Sequence, residues 1–276
     1  MDNKIIFQDY IQEFSNFSLE NLETTDFLDR FDTKFIVRTS DLDNILNYLN
    51  LDYKCLKIQN DSIFDYTSHY YDTINFDFYL QHHNNKVNRI KLRSRHYKET
   101  NQTFFELKNK LKTQKTIKFR KEFINNAKGS TFLGSEHYNN YLGDFLTEND
   151  LYLQNRKLKD LEEKLSVNYQ RISLVSNDLR EKLTIDFDIN FAIINKNKVV
   201  NIQNPKYLLN GISIIEIKQN KINYNSDLIS YLKKLNYRPD YNFSKYCFGL
   251  IYTQNNLKYN NFKPTLLYIK KLLSSN

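Results

Sequence analysis

The chain has 276 residues and a mass of 33.3 kDa, with 40 Lys and Arg against 32 Asp and Glu and a formal charge of +8. Five Gly and three Pro exclude a collagen-like chain, a linker protein and a low-complexity array, while 21 Tyr and 20 Phe supply aromatic area for a sizeable core. Apolar runs such as Cys247-Phe248-Gly249-Leu250-Ile251-Tyr252 are too short to cross a bilayer, the opening MDNKIIFQDY is unlike a secretory leader, and Cys55 and Cys247 stand alone, so the expectation is a cytoplasmic chain without a disulfide framework or a zinc site.

In chain order, Ile6, Tyr10 and Phe14 fall on one stripe, and the first 29 residues read as helical with a polar Asn/Ser/Glu stretch following. Residues 30–38 switch to period two. Ser40-Asp41-Leu42-Asp43 has the form of a capping box opening a short helix through Leu49. Strands are predicted at 66–73, 76–82, 87–97, 103–110 and 117–124, with polar turns between them; Asn84-Asn85 makes the adjacent His82-His83 a hairpin tip. Residues 132–164 read as helical, with Leu142, Phe145, Leu146 and Leu153 toward the core. Strands return at 167–174, 182–191, 198–202 and 212–219, and helices at 226–235 and 262–273 close the chain. No composition break or internal repeat divides it, so one α+β domain over 1–276 is expected.

Each of these strands has one apolar and one charged face. Arg30, Asp32, Lys34 and Arg38 alternate with Phe31, Phe35 and Val37, and Arg89, Lys91, Arg93 and Arg95 alternate with Ile90 and Leu92. Glu106 and Lys108, then Lys118 and Arg120, then Thr184, Asp186 and Asp188, then Glu216 and Lys218 follow the same rule. An antiparallel sheet with one wet face explains ordinary alternation. Four cations at two-residue spacing go further, because like charges so close repel unless an anion lies among them. Helices on the apolar side and charges on the inside predict a closed antiparallel barrel of about eight strands, with helices packed outside. Its lumen is a basic tunnel suited to a polyphosphate or nucleoside triphosphate.

Several segments resemble, in order, the VTC domain, the catalytic domain of vacuolar transporter chaperone polyphosphate polymerases within the triphosphate tunnel metalloenzymes. They are Arg30-Phe31-Asp32-Thr33-Lys34-Phe35, Tyr70-Tyr71-Asp72-Thr73, Lys91-Leu92-Arg93-Ser94-Arg95-His96-Tyr97, Phe105-Glu106-Leu107-Lys108, Lys118-Phe119-Arg120, Tyr169-Gln170-Arg171, Ile215-Glu216-Ile217-Lys218 and Phe243-Ser244-Lys245-Tyr246. The resemblance spans about 28–252. It implies phosphate-ligand roles for Lys34, Arg93, Arg95, Lys108, Lys118 and Arg171, a metal-binding role for Glu216 toward Mn²⁺ or Mg²⁺, and a basic role for Lys245. Arg30, Arg89, Lys91, Arg120 and Lys218 join the phosphate-binding set. Two departures stand out. The related CYTH triphosphatases open with Glu-x-Glu-x-Lys where this chain has Arg30-x-Asp32-x-Lys34, and Asn242 stands where eukaryotic VTC members carry Lys.

The activity implied is transfer of the ATP γ-phosphate to a growing polyphosphate chain with release of ADP. Glu106 or Asp186 could assist Glu216 with the metal, although pairing with a cation is the simpler role for Asp186 and Asp188. A triphosphatase using the same tunnel is the nearest alternative. A non-catalytic polyanion or nucleic-acid module ranks below it, because Phe and Tyr mostly alternate away from the cations instead of interleaving with them. A degenerate scaffold ranks last. Any pore that moves the product across a membrane would be a separate polypeptide partner.

Overall fold

The computed structural model describes residues 2–18, 31–111, 116–124, 135–153, 158–195, 198–200, 209–220, 223 and 226–274. Period-two segments become strands in a single antiparallel-rich sheet. Its main path runs β2 (Phe31–Arg38), β11 (Ile212–Gln219), β9 (Glu181–Asn195), β8 (Leu161–Ser176), β4 (Ile63–Thr73), β5 (Arg89–Tyr97), β6 (Gln102–Lys110) and β7 (Thr116–Phe123). β3 (Tyr53–Leu56) adds to β8, β1 (Ser15–Phe17) lies parallel to β3, and β10 (Lys198–Val200) adds to β9.

The apolar faces are covered as amphipathic patterning demands. α1 (Asn3–Gln12), α2 (Leu42–Leu49) and α5 (Asp227–Lys234) bury Phe7, Ile11, Ile45, Leu46 and Leu232 with Phe35, Ile185, Phe187 and Ile217 of the sheet. The helix expected over the first 29 residues stops at Gln12 and gives way to β1 at Ser15. Its buried residues are Phe7 and Ile11, one position on from Ile6 and Tyr10, while Phe14 is buried just beyond it; 19–30 lie outside the described residues. α4 (Glu136–Glu148) packs Tyr138, Leu142 and Phe145 with Leu92, Phe105 and Leu107.

Four further expectations need correction. Residues 76–82 are not a strand: α3 (Asp77–His83) forms there because buried Asp72 accepts from the backbone N–H groups of Phe78 and Tyr79 at 2.8 and 2.9 Å, closing a helix start from upstream. His82 and His83 therefore end a helix, not a hairpin. The 132–164 helix stops at Glu148; a 3₁₀ turn follows at Asp150–Leu153, and β8 already begins at Leu161. Asp41 stands at the cap of α2 without a side-chain capping bond, because its carboxylate is taken by Arg38 and the Tyr237 hydroxyl.

The fourth correction concerns the barrel. Among the described residues β2 and β7 end the path without pairing to each other. β2's outer edge is occupied by the 237–240 turn instead: Lys34 O accepts from Asp240 N at 2.8 Å, and Phe35 bridges Pro239, which has no N–H to offer a further strand. Nor do all helices lie outside. α6 (Lys245–Thr253) packs on the same face of β8 and β9 as the charged residues, burying Tyr246, Cys247, Phe248 and Leu250 with Leu165, Val167, Ile189, Phe191 and Ile214. α7 (Lys263–Ser274) supports it from behind with Tyr268 and Ile269. A Cβ on Gly249 would lie 2.4 Å from Leu165 Cδ2 and 2.7 Å from Phe191 Cδ1, so only glycine lets α6 sit this close. No helix among the described residues is long and apolar enough to cross a membrane.

Candidate active site

The registers set the charged face in rows. Lys91 stands opposite Lys108, and Lys108 opposite Lys118; one step along, Arg93 faces Glu106 and Glu106 faces Arg120. On the other flank Glu216 lies between Lys34 and Thr184, and Arg171 faces Asp186. These flanks are far apart in strand order yet meet in space: Lys108 and Lys91 both lie within electrostatic reach of Glu216, and Lys91 within that of Lys34. The sheet curls its charged face around a chamber, and α6 enters that chamber from one end. Lys245, its first residue, binds Asp186, and the capping Ser244 accepts from Lys91 Nζ at 3.1 Å.

Two carboxylates are fully engaged. Glu106 takes Arg93 Nη2 at 2.5 Å and Nε at 2.7 Å, with Arg95 and Arg120 at 3.7 and 3.9 Å. Asp186 takes Arg171 as a fork, Nε at 2.5 Å and Nη2 at 2.8 Å, together with Lys245. Burial alone would raise its pKa, but Arg171 and Lys245 hold it at about 2. Glu216 is looser: its ion pairs among the described residues are to ammonium groups, Lys218 at 3.6 Å and Lys34 at 3.7 Å. Burial works against its charge, and Lys218, Lys34, Lys108 and Arg171 together keep its pKa well below the usual range.

The cations are crowded. Burial, with Lys118 and Arg95 adding repulsion, pushes Lys108 down to about 7 despite the attraction of Glu216 and Glu106. Lys91 is pushed down to about 8 by burial, with Lys34 and Arg89 adding to it. Polar atoms facing the chamber are also left over: Arg95 Nε, Arg89 Nε, Ser68 Oγ opposite Arg95, and Thr184 Oγ1 opposite Glu216 are buried with no hydrogen-bond partner. Crowded cations and buried donors without partners on one face suit an anionic ligand.

Of the residues expected from sequence, Lys34, Lys91, Arg93, Arg95, Lys108, Arg171, Glu216, Lys218 and Lys245 are brought together here, all at least half buried. Lys118 and Arg120 sit on the exposed rim at β7, Arg120 resting 3.7 Å over the Phe104 ring. Arg89 is on the same face as Lys91, and Arg30 lies outside the described residues. Asp188 leaves the face: its φ of +50° and the bulge opposite Asn168/Gln170 turn it to accept from Asn3 Nδ2 at 2.6 Å.

Sequence reading missed the aromatic lining. Tyr66 and Tyr70 share the face of Arg95 and Arg93; Arg171 lies 5.2 Å over Tyr66, Arg93 5.7 Å over Tyr70, and Lys245 4.7 Å over Tyr169. The alternation Tyr66-x-Ser68-x-Tyr70 carried that signal. Rings and cations therefore do interleave, contrary to expectation, but Tyr66, Tyr70 and Tyr169 are buried beneath the cations and offer no open stacking platform.

Among the described residues no three His, Cys, Asp or Glu side chains converge as a metal cage. The donor set fits a divalent cation in one way only. Mg²⁺ and its like bind through one or two carboxylates plus substrate phosphate oxygens. Glu216, whose ammonium contacts exceed 3.5 Å, is the carboxylate that can share such an ion; Glu106 and Asp186 are held by arginine and do not fit the assisting role.

Solved structures with a similar chain path include a provisional adenylate cyclase from Vibrio parahaemolyticus (10% identity, TM-score 0.44, covering 80% of this chain and 98% of that one). Another, from Bacillus halodurans, has 10% identity and a TM-score of 0.45, covering 86% and 96%. An adenylyl cyclase candidate from Hippeastrum, described as having a dominant triphosphatase activity, has 12% identity and a TM-score of 0.44, covering 84% and 99%. None of the curated proteins matches the chain. The model of one family, the VTC domain, matches residues 29–253, a stretch that begins just before β2 and ends with the helix inserted into the chamber. By that match the chain belongs to the VTC domain family.

Proposed function

We propose that the chain is an ATP-dependent polyphosphate polymerase. The observation that carries this reading is the concave face where cations from β2, β5, β6, β8 and β11 lie about Glu216, with Lys245 of α6 on neighbouring Asp186, and several buried donors are left without partners. A chain of phosphates supplies what that face lacks: many acceptor oxygens and closely spaced negative charge.

In this reaction the terminal oxygen of polyphosphate attacks the γ-phosphorus of ATP, a new P–O bond forms, the β–γ bridge breaks and ADP leaves. Such transfer needs alignment of both oxygens and neutralisation of the charge on the moving group rather than covalent help from protein. Arg93 is fixed by Glu106 and the Tyr70 hydroxyl, Arg95 lies 3.7 Å from Glu106, and Arg171 is fixed by Asp186, so these guanidinium groups are oriented before substrate arrives. Lys108 and Lys91, whose ammonium groups are made stronger acids in the free protein by burial and neighbouring cations, gain their full charge as phosphates bind. Glu216 would hold Mn²⁺ or Mg²⁺ jointly with phosphate oxygens, and that ion supplies Lewis-acid stabilisation.

The test is incubation of the purified protein with ATP and Mn²⁺, followed by gel staining for polyphosphate and assay of free orthophosphate. ADP accompanied by lengthening chains is the expected result. One orthophosphate per ADP with no chain growth overturns the polymerase reading in favour of a triphosphatase.

A further inference from the structure

His82, at the C-terminal end of α3, is a chamber residue that neither the charged-face pattern nor the functional reading uses. Its ring hydrogen-bonds the Ile90 backbone in a way that favours the protonated form, so the ring donates and the Ile90 carbonyl accepts. Nε2 is buried and has no hydrogen-bond partner, which leaves Nδ1 as the donor. The largest charges acting on the ring are positive: Lys91 and Arg89 from β5, and Lys34 from β2. α6, packed against α3, brings Cys247, whose thiol is pushed up to about 11 by burial and stays neutral. An unpartnered imidazole nitrogen among three cations is a poor arrangement for an empty chamber and a good one for a filled chamber.

We propose that His82 is a further phosphate-binding residue, whose Nε2 donates an N–H hydrogen bond to a polyphosphate oxygen once the chamber is occupied. This rests on the reading of the chamber as a polyphosphate site. The mechanism is linkage: in the free protein burial and Lys91, Arg89 and Lys34 hold the ring well below its ordinary pKa, and an anion bound among those cations reverses the field. Affinity for polyphosphate should therefore strengthen as pH falls toward 6, with proton uptake on binding. Because Nδ1 is already committed to the Ile90 carbonyl, the ring is aimed before the proton arrives.

The experiment follows histidine ring signals by NMR with tripolyphosphate as the probe, on the wild type at pH 7. The His82 signal is identified by its loss in His82→Gln, or in His82→Asn if the first variant does not fold. The expected result is a neutral ring in the free protein and a protonated one at saturation. His82→Gln should bind tripolyphosphate about tenfold more weakly at pH 6 and closer to wild type at pH 8.5, the size expected for one charge-assisted hydrogen bond. A ring that stays neutral in the complex, or unchanged affinity of the variant at pH 6, overturns the inference alone. Failure of the wild type to bind tripolyphosphate overturns the chamber reading with it.

Discussion

At the scale of single residues, the chamber separates groups that shape it from groups that await a ligand. Glu216 belongs to the second kind, being held by two lysines at 3.6 and 3.7 Å and by no arginine fork. Glu216→Gln should abolish metal-dependent turnover while tripolyphosphate still binds as tightly as to wild type or more so, since an internal negative charge is gone; calorimetry with and without Mn²⁺ separates the two effects. Lys108 shows the cost of crowding. Its folded pKa of about 7 lies below the ordinary 10.5, so between those values the unfolded chain binds more protons than the native one, and native stability rises with pH across that window. Lys108→Met should therefore raise the melting temperature at pH 7, flatten its rise between pH 7 and 9, and weaken tripolyphosphate binding roughly tenfold. Thermal scans at several pH values check the first two effects.

At the scale of elements, α6 is the piece that joins scaffold to chemistry. Tyr246 donates to Asp72, the same carboxylate that closes the start of α3, and the next residue inward, Lys245, reaches Asp186. Gly249→Ala forces a methyl against Leu165 and Phe191, an overpacking that typically costs about 1–3 kcal/mol. The variant should melt earlier and also bind tripolyphosphate less well, because displacing α6 pulls Lys245 and Ser244 from the chamber. Leu267→Ala on the exposed side of α7 should change neither, which makes it the control. α6 was invisible to periodicity for a physical reason: Tyr-Cys-Phe-Gly-Leu-Ile is apolar on every side because both sides are buried, so no polar stripe marks a helix. The strands were far easier to read, since Arg89 to Arg95 and Ile215 to Lys218 each wear their two environments in alternate letters. α3 escaped because its cap, Asp72, lies six residues from the N–H it satisfies, beyond any local signal.

For the whole molecule, the proposed polyphosphate binding draws on the charge imbalance and inherits its sensitivity to salt. A tripolyphosphate concentration near one hundred times Kd should raise the melting temperature by roughly 5–10 °C, since ligand bound only to the native state stabilises it by mass action. Single-stranded DNA should do much less, because the rings lie beneath the cations. Raising salt from 50 to 300 mM should erode the tripolyphosphate shift, with equal shifts from both ligands pointing to an open basic surface instead. What sequence could not convey at this scale was closure. Alternation shows that a strand has two faces, but not whether the outermost strands meet. Pro239 and Asp240, distant in sequence from β2, decide that here by occupying its edge.

An unclosed sheet has a second edge, and β7 forms it: among the described residues it pairs only with β6. A free strand edge is a template for pairing with another molecule, and natural proteins discourage this with charge. Lys118, Arg120 and Glu122 stand exposed along that edge, so residues expected to greet phosphate at the rim also act as gatekeepers against self-association. Neutral apolar replacements there carry two consequences at once, weaker ligand capture and a stickier strand. Insolubility of such variants would report the exposed edge, and charge-reversing rather than apolar replacements are the ones that isolate the part these side chains play at the rim.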